Sequence, residues 1–277
     1  MPVSPGRAQT CRLGVSPSAG PADRYACGVL PPEQSDLSGR TGRGRGARVA
    51  LTFDVEDPDL PWHNAPSSVT TILDVLARSG VRATFFLQGR WVDANPEIAR
   101  AVADAGHAVA SHSYSHVDFR QLSAEGLAAD LGKARDRITA VTGVDPFPWF
   151  RLPFGAGSDD RVLRRRLHRL GYRHVGWDVD PKDYERDRAE DVVAGALEGL
   201  DGCAGGDADR EAVVLMHSWP QVTPRALEAL CRSLVERGTR FVVVDELRAS
   251  AALAVPERAS ALQSVSSRVR LVARSGR

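Results

Sequence analysis

The 277-residue chain carries 36 Lys and Arg against 35 Asp and Glu, a net charge of +1, with 43% hydrophobic residues. That balance gives no electrostatic argument for a nucleic-acid or polyanion partner, while the apolar content can fill one sizeable core. Four cysteines, Cys11, Cys27, Cys203 and Cys231, have neither CxxC spacing nor scaffold density and read as free thiols.

The N-terminal stretch 1–46 is rich in Gly, Pro and Arg with almost no apolar periodicity, so it reads as a disordered arm. No run in the chain approaches the roughly 18 apolar residues of a membrane helix, and the start lacks the roughly 7–15-residue apolar core of a secretory signal. The expectation is a cytoplasmic protein without a membrane span, or a secreted one if the first Met is not the true start.

From 47 to 248, runs rich in β-branched and aromatic residues alternate with segments of helical period, the pattern of repeated βα units. Strands are predicted at 48–54, 82–88, 107–112, 147–152, 173–179, 212–217 and 240–245. Helices are predicted between them at 67–79, 96–105, 123–142 (Ser123 as N-cap), 159–170, 188–200 and 224–237. This order predicts an α/β fold, a single distorted (β/α) barrel of about seven parallel strands; no G-x-G-x-x-G follows the first strand to support a dinucleotide-binding sheet. The remainder, 249–277, is a basic tail in which Leu262 to Val272 reads equally as a short amphipathic helix or as frayed chain.

Polar residues collect at or just past the predicted strand ends: Asp54 and Glu56, His112, Arg151, Asp180 and Asp183, and His217. In a βα barrel these ends share one rim, where such folds hold their chemistry. His112 and His116 have the i, i+4 spacing that lets two imidazoles on a helical turn reach one cation. In Val49 to Asp57, strand alternation puts Leu51, Phe53 and Val55 on one face and Thr52, Asp54 and Glu56 on the other. Two carboxylates therefore point the same way: one can bind a cation while the other takes a proton from water. His217, from a late strand, is placed to protonate a leaving amine or alcohol.

Five segments in order, Thr52-Phe53-Asp54, His112-Ser113-Tyr114-Ser115-His116, Arg151-Leu152-Pro153-Phe154-Gly155, Trp177 to Tyr184 and Leu215-Met216-His217, resemble the motifs of the NodB-homology polysaccharide deacetylases, carbohydrate esterase family 4. Ala83-Thr84-Phe85-Phe86 adds to the likeness. The resemblance implies a metal-dependent hydrolase that removes acetyl groups from an acetylated carbohydrate or small acetamido substrate. By the same resemblance Asp54 is the general base, His112 and His116 are metal ligands, and His217 is the general acid. It also implies that Arg151 holds the base, Asp183 orients His217, Leu215, Pro153 and Tyr184 border the acetyl site, and the Phe154 N–H lies in an oxyanion hole. The implied cofactor is a divalent metal, zinc first, with cobalt, nickel or manganese as alternatives.

The first motif departs from the family pattern. Val55 stands where a ligating aspartate is common, which leaves Glu56 as the expected third ligand and Asp57 as the alternative. Tyr184 replaces the usual Trp. Two rival functions follow: hydrolysis of a non-sugar amide or cyclic imide on the same fold, and an inactive barrel that only binds carbohydrate.

Overall fold

The computed structural model describes residues 47–56, 68–203 and 211–247. The arm 1–46, the tail 249–277, Cys11, Cys27 and Asp57 lie outside the described residues. Among the described residues, neither Cys203 nor Cys231 takes part in a disulfide. No described helix is long and apolar enough to cross a membrane.

Seven parallel strands alternate with helices: β1 (Arg48–Val55), α1 (Val69–Ser79), β2 (Thr84–Leu87), α2 (Gly89–Ala94), α3 (Pro96–Asp104), β3 (Ala108–Ser111), α4 (Ala124–Thr142) and β4 (Trp149–Phe150). The second half runs α5 (Arg161–Arg169), β5 (Arg173–His174), α6 (Ala189–Cys203), β6 (Glu211–His217), α7 (Val222–Glu236) and β7 (Arg240–Phe241). Neighbours follow the order β5-β4-β3-β2-β1-β6, and β7 pairs only with the first two residues of β1. Past β5 the chain leaves β4 and bridges β6 at Val179 and Val214, which brings the two ends of this order together as a distorted (β/α) barrel.

β1 is buried on both faces, as a central parallel strand must be. Its odd-numbered residues Leu51, Phe53 and Val55 pack outward among Ile72, Leu73 and Leu76 of α1 and Leu227 and Leu230 of α7. Its inward residue Ala50 meets Phe86, Ala110, Val175 and Val213, which fill the barrel interior. Helix ends follow local chemistry: Ser123 Oγ accepts the Gly126 N–H at 3.1 Å to open α4, and Gly143, at φ 74°, closes it. Such a cap stabilises the helix by about 1 kcal/mol.

The late strands are shorter than the β-branched runs suggest. The runs 147–152, 173–179 and 240–245 each keep only a two-residue strand, because pairing shifts partner or turns into single-turn helices at Pro153–Gly155 and Val244–Glu246. α2 carries no matching prediction, since six residues beginning with Gly89 are too few to show a helical period.

Candidate active site

The strand ends open on one mouth, and Asp54 stands at its centre. Parallel register pairs Asp54 with Phe86 on one side and His217 on the other. Arg151, one residue past β4, is fully buried beneath it. Its Nη1 donates to Asp54 Oδ1 at 2.7 Å, Nε to the Val175 carbonyl at 3.1 Å and Nη2 to the Gly176 carbonyl at 3.1 Å. The guanidinium also lies 4.0 Å from the centre of the Phe86 ring. Burial lowers the Arg151 pKa and the Asp54 charge opposes it, so the ion stays charged where a lysine would have given up its proton more readily. Asp54 is thereby fixed in one orientation, with Oδ2 facing His112 Nε2 at 3.5 Å.

Beside it, Glu56, His112 and His116 form the one cluster of metal-type ligands among the described residues, their ligand atoms within 4.8 Å of one another. The histidine pair does not ride a helical turn as its spacing suggests. It spans a loop with Ser113 at φ 67° and His116 at φ 55°, left-handed conformations that non-glycine residues rarely hold without support. Asp130 on α4 supplies it: Oδ1 accepts the Tyr114 N–H at 2.8 Å, and Oδ2 accepts the Ser115 N–H at 3.1 Å and its hydroxyl. Ser113 Oγ accepts the His116 N–H at 2.9 Å. On the other side Gly89 donates to the Ser113 carbonyl at 2.9 Å, and a Cβ there would sit 3.1 Å from Tyr114 Cα and overlap its ring.

These donors suit a divalent cation. His112 Nδ1 lies 3.0 Å from the Arg151 carbonyl, which can only accept, so Nδ1 carries the hydrogen and the lone pair of Nε2 faces the cluster. His112 Nε2 is 3.2 Å from both Glu56 Oε2 and His116 Nε2, and His116 Nε2 touches the same carboxylate oxygen. A tetrahedral cation with bonds of about 2.0–2.2 Å separates its ligand atoms by about 3.3–3.5 Å, close to the two separations made by His112, while His116 and Glu56 would have to move apart to admit it. Burial alone would raise the Glu56 pKa, yet the hydrogen bonds and charges of the two histidines hold it well below the carboxylate range. Burial likewise pulls His112 down, and Asp54 and Glu56 more than reverse it.

Across the mouth, His217 Nδ1 meets Asp183 Oδ1 at 2.8 Å, and Asp183 Oδ2 accepts the His217 N–H at 2.8 Å and the Thr223 hydroxyl at 2.6 Å. Burial depresses the imidazole, but the Asp183 hydrogen bond and charge, helped by Asp54 and Glu56, lift its pKa to about 9. Leu215 is buried one step inside it. The Tyr184 ring packs edge-on against His217 at 5.1 Å, and its hydroxyl donates to Asp180 at 3.1 Å. Asp180 is thus engaged with Tyr184 and with the Lys182 N–H at 2.9 Å. Phe154, at φ 58° after buried Pro153, is 67% exposed and sets its ring 4.4 Å from that of His116.

Three residues that bind this constellation together escape a reading by motif: Asp130, Thr223 and Trp219. Asp130 lies in a helix where charged residues are ordinary, and Thr223 looks like any polar residue near a helix start. Trp219 alone had a signal, its place two residues past His217.

Comparison with known proteins points to one family. A profile of the family described as polysaccharide deacetylase matches residues 41–175. The peptidoglycan-N-acetylglucosamine deacetylase PgdA of Listeria monocytogenes is 32% identical over 206 residues, 72% of this chain and 38% of its own length. This chain therefore spans well under half of that relative. A chitin deacetylase of Colletotrichum lindemuthianum is 30% identical over 204 residues, 72% of this chain and 78% of its own. Among solved structures, a family 4 carbohydrate esterase pseudoenzyme from Bacillus anthracis superimposes with a TM-score of 0.62 at 28% identity, over 74% of this chain and 66% of that one. With the barrel, the strand-end residues and these likenesses in agreement, the chain belongs to the polysaccharide deacetylase family.

Proposed function

We propose that this protein is a metal-dependent deacetylase that hydrolyses the N-acetyl group of an amino sugar, with polymers of N-acetylglucosamine as the first substrate class. The observation that carries this reading is the meeting, at one mouth, of a buried carboxylate fixed by Arg151, a separate Glu-His-His cluster, and an acid-poised histidine. Relatives named peptidoglycan-N-acetylglucosamine deacetylase and chitin deacetylase support the substrate class.

Glu56, His112 and His116 would hold the cation, zinc by the chemistry of a two-imidazole, one-carboxylate set. When bound, the cation supplies Lewis acidity toward the acyl oxygen and toward water. Asp54 takes the proton of the attacking water as its oxygen bonds to the carbonyl carbon, and Arg151 keeps the carboxylate aimed. The Phe154 N–H is assigned to the charge developing on the acyl oxygen, and Leu215, Pro153 and Tyr184 to the wall around the acetyl methyl. His217 then passes its proton to the departing nitrogen as the carbon–nitrogen bond breaks, which yields acetate and a free amine. Asp183 favours the protonated imidazole and holds its ring in place.

A second reading keeps the mouth and changes the bond. Val55 where the family's second aspartate is common, and Tyr184 in place of tryptophan, leave room at the rim for a non-sugar amide or a cyclic imide. Acetate release, measured on N-acetylglucosamine oligomers, peptidoglycan fragments and small acetamido glycosides, separates the two. Release that disappears in Asp54→Asn supports the deacetylase; no release from any of them, with hydrolysis of an imide, favours the second reading. A similar fold exists as a pseudoenzyme. Binding of these glycans without turnover would therefore assign the chain to that inactive type.

A further inference from the structure

The ladder between β1 and β6 pairs Thr52 with Leu215 and Asp54 with His217, all facing the mouth. Glu56 lies one residue past the end of β1 and Trp219 two residues past the end of β6, and the two side chains meet there. The ladder itself ends at Asp54 and His217, but the segment beyond stays held: the Ser218 N–H donates to the Asp54 carbonyl at 3.0 Å, and the Ser218 carbonyl takes the Ser68 N–H at 3.0 Å. Ser218 is itself buried, so the backbone that carries Trp219 is pinned on both sides.

From this position the indole Nε1–H donates to Glu56 Oε1 at 3.3 Å, while the other oxygen, Oε2, faces the two imidazoles. The carboxylate is divided, with one oxygen for the indole and one for the cluster. Such a division matters more for glutamate than for aspartate, because its extra methylene adds a rotatable bond that would otherwise let the carboxylate swing or bind through both oxygens. We infer that Trp219 is a positioning residue: its indole N–H holds Oε1 of Glu56 so that Oε2 alone is presented, with His112 and His116, to a divalent cation. This inference rests on the metal-dependent reading of the site.

The test is zinc affinity of the full chain, stripped of metal and titrated against a competing chelator. Trp219→Phe keeps a ring and removes the donor, and it should weaken zinc binding about 10–100-fold, the usual cost of losing an outer partner of a ligand. In wild type, zinc should change the tryptophan emission, and that part of the signal should vanish in the variant. A loosened rim could weaken binding without any role for the N–H, so the same substitution is also made in Glu56→Asp, whose carboxylate is one methylene shorter and falls away from the indole. There, Trp219→Phe should add less than about a twofold loss. Equal zinc affinity in wild type and Trp219→Phe, or an equal loss in both backgrounds, overturns the inference. Should Trp219→Phe not fold, a wild-type emission unchanged at saturating zinc overturns it as well. A wild-type chain that takes up no cation overturns the metal-dependent reading instead.

Discussion

Arg151 and Asp54 form an ion pair, 2.7 Å from Nη1 to Oδ1, in which neither side chain is more than 6% exposed. Two backbone carbonyls and the Phe86 ring complete the guanidinium's surroundings, so the pair joins β1 to β4 and to the segment after β5 across the barrel interior. Removing one partner strands the other in a dry site. Arg151→Met is expected to cost about 3–5 kcal/mol in denaturant unfolding, because the volume is kept and the compensation is lost. Arg151→Lys should fold better and still turn over poorly, since an ammonium cannot reach Asp54 and both carbonyls at once.

Asp183 sets the protonation of His217. In the proposed role of general acid, His217 must carry its proton, and a pKa lifted to about 9 keeps it protonated at neutral pH. Activity should therefore hold through neutrality and fall as pH rises through about 9. In Asp183→Asn the carboxylate charge that lifts the imidazole is gone, and the alkaline limb of the kcat profile should move down by one unit or more. A limb that stays in place would assign the acid to another group.

The left-handed loop that carries both histidines is held by Asp130. Asp130→Ala removes the acceptor of two backbone N–H groups and one hydroxyl, and the loop's two unfavourable conformations then lose their support. Metal affinity should drop about tenfold or more while helix content in circular dichroism stays near wild type, because Asp130 faces the loop and the α4 core contacts come from Leu127, Leu131 and Ala134. Unchanged affinity would show that the loop holds its shape without the carboxylate.

These outcomes bear on what the chain reveals before folding is considered. Alternation along β1 was legible because a strand buried on both faces makes any polar residue conspicuous, and Thr52, Asp54 and Glu56 stand out at every second position. The strand ends were legible as a shared rim for the same reason. The geometry of the histidine pair was not: four-residue spacing fits a helical turn equally well, and only the tertiary contacts of Asp130 and Gly89 select the loop. The short strands β4, β5 and β7 look longer in the sequence, because buried β-branched residues are equally at home in the irregular segments that close the barrel, such as Val175 to Val179. Trp219 belongs to no motif, and its bond to Glu56 appears only in the folded chain.

In the proposed mechanism Asp54, on β1, is the base, and Glu56, one residue past that strand, is the metal ligand. Metal content per chain, measured side by side in Asp54→Asn and Glu56→Gln after identical zinc loading and dialysis, tests it most directly. The account predicts about one bound zinc and turnover lowered by at least 1000-fold in Asp54→Asn, with little or no retained zinc in Glu56→Gln. Asp54→Asn emptied of zinc, or Glu56→Gln still fully loaded, would contradict it.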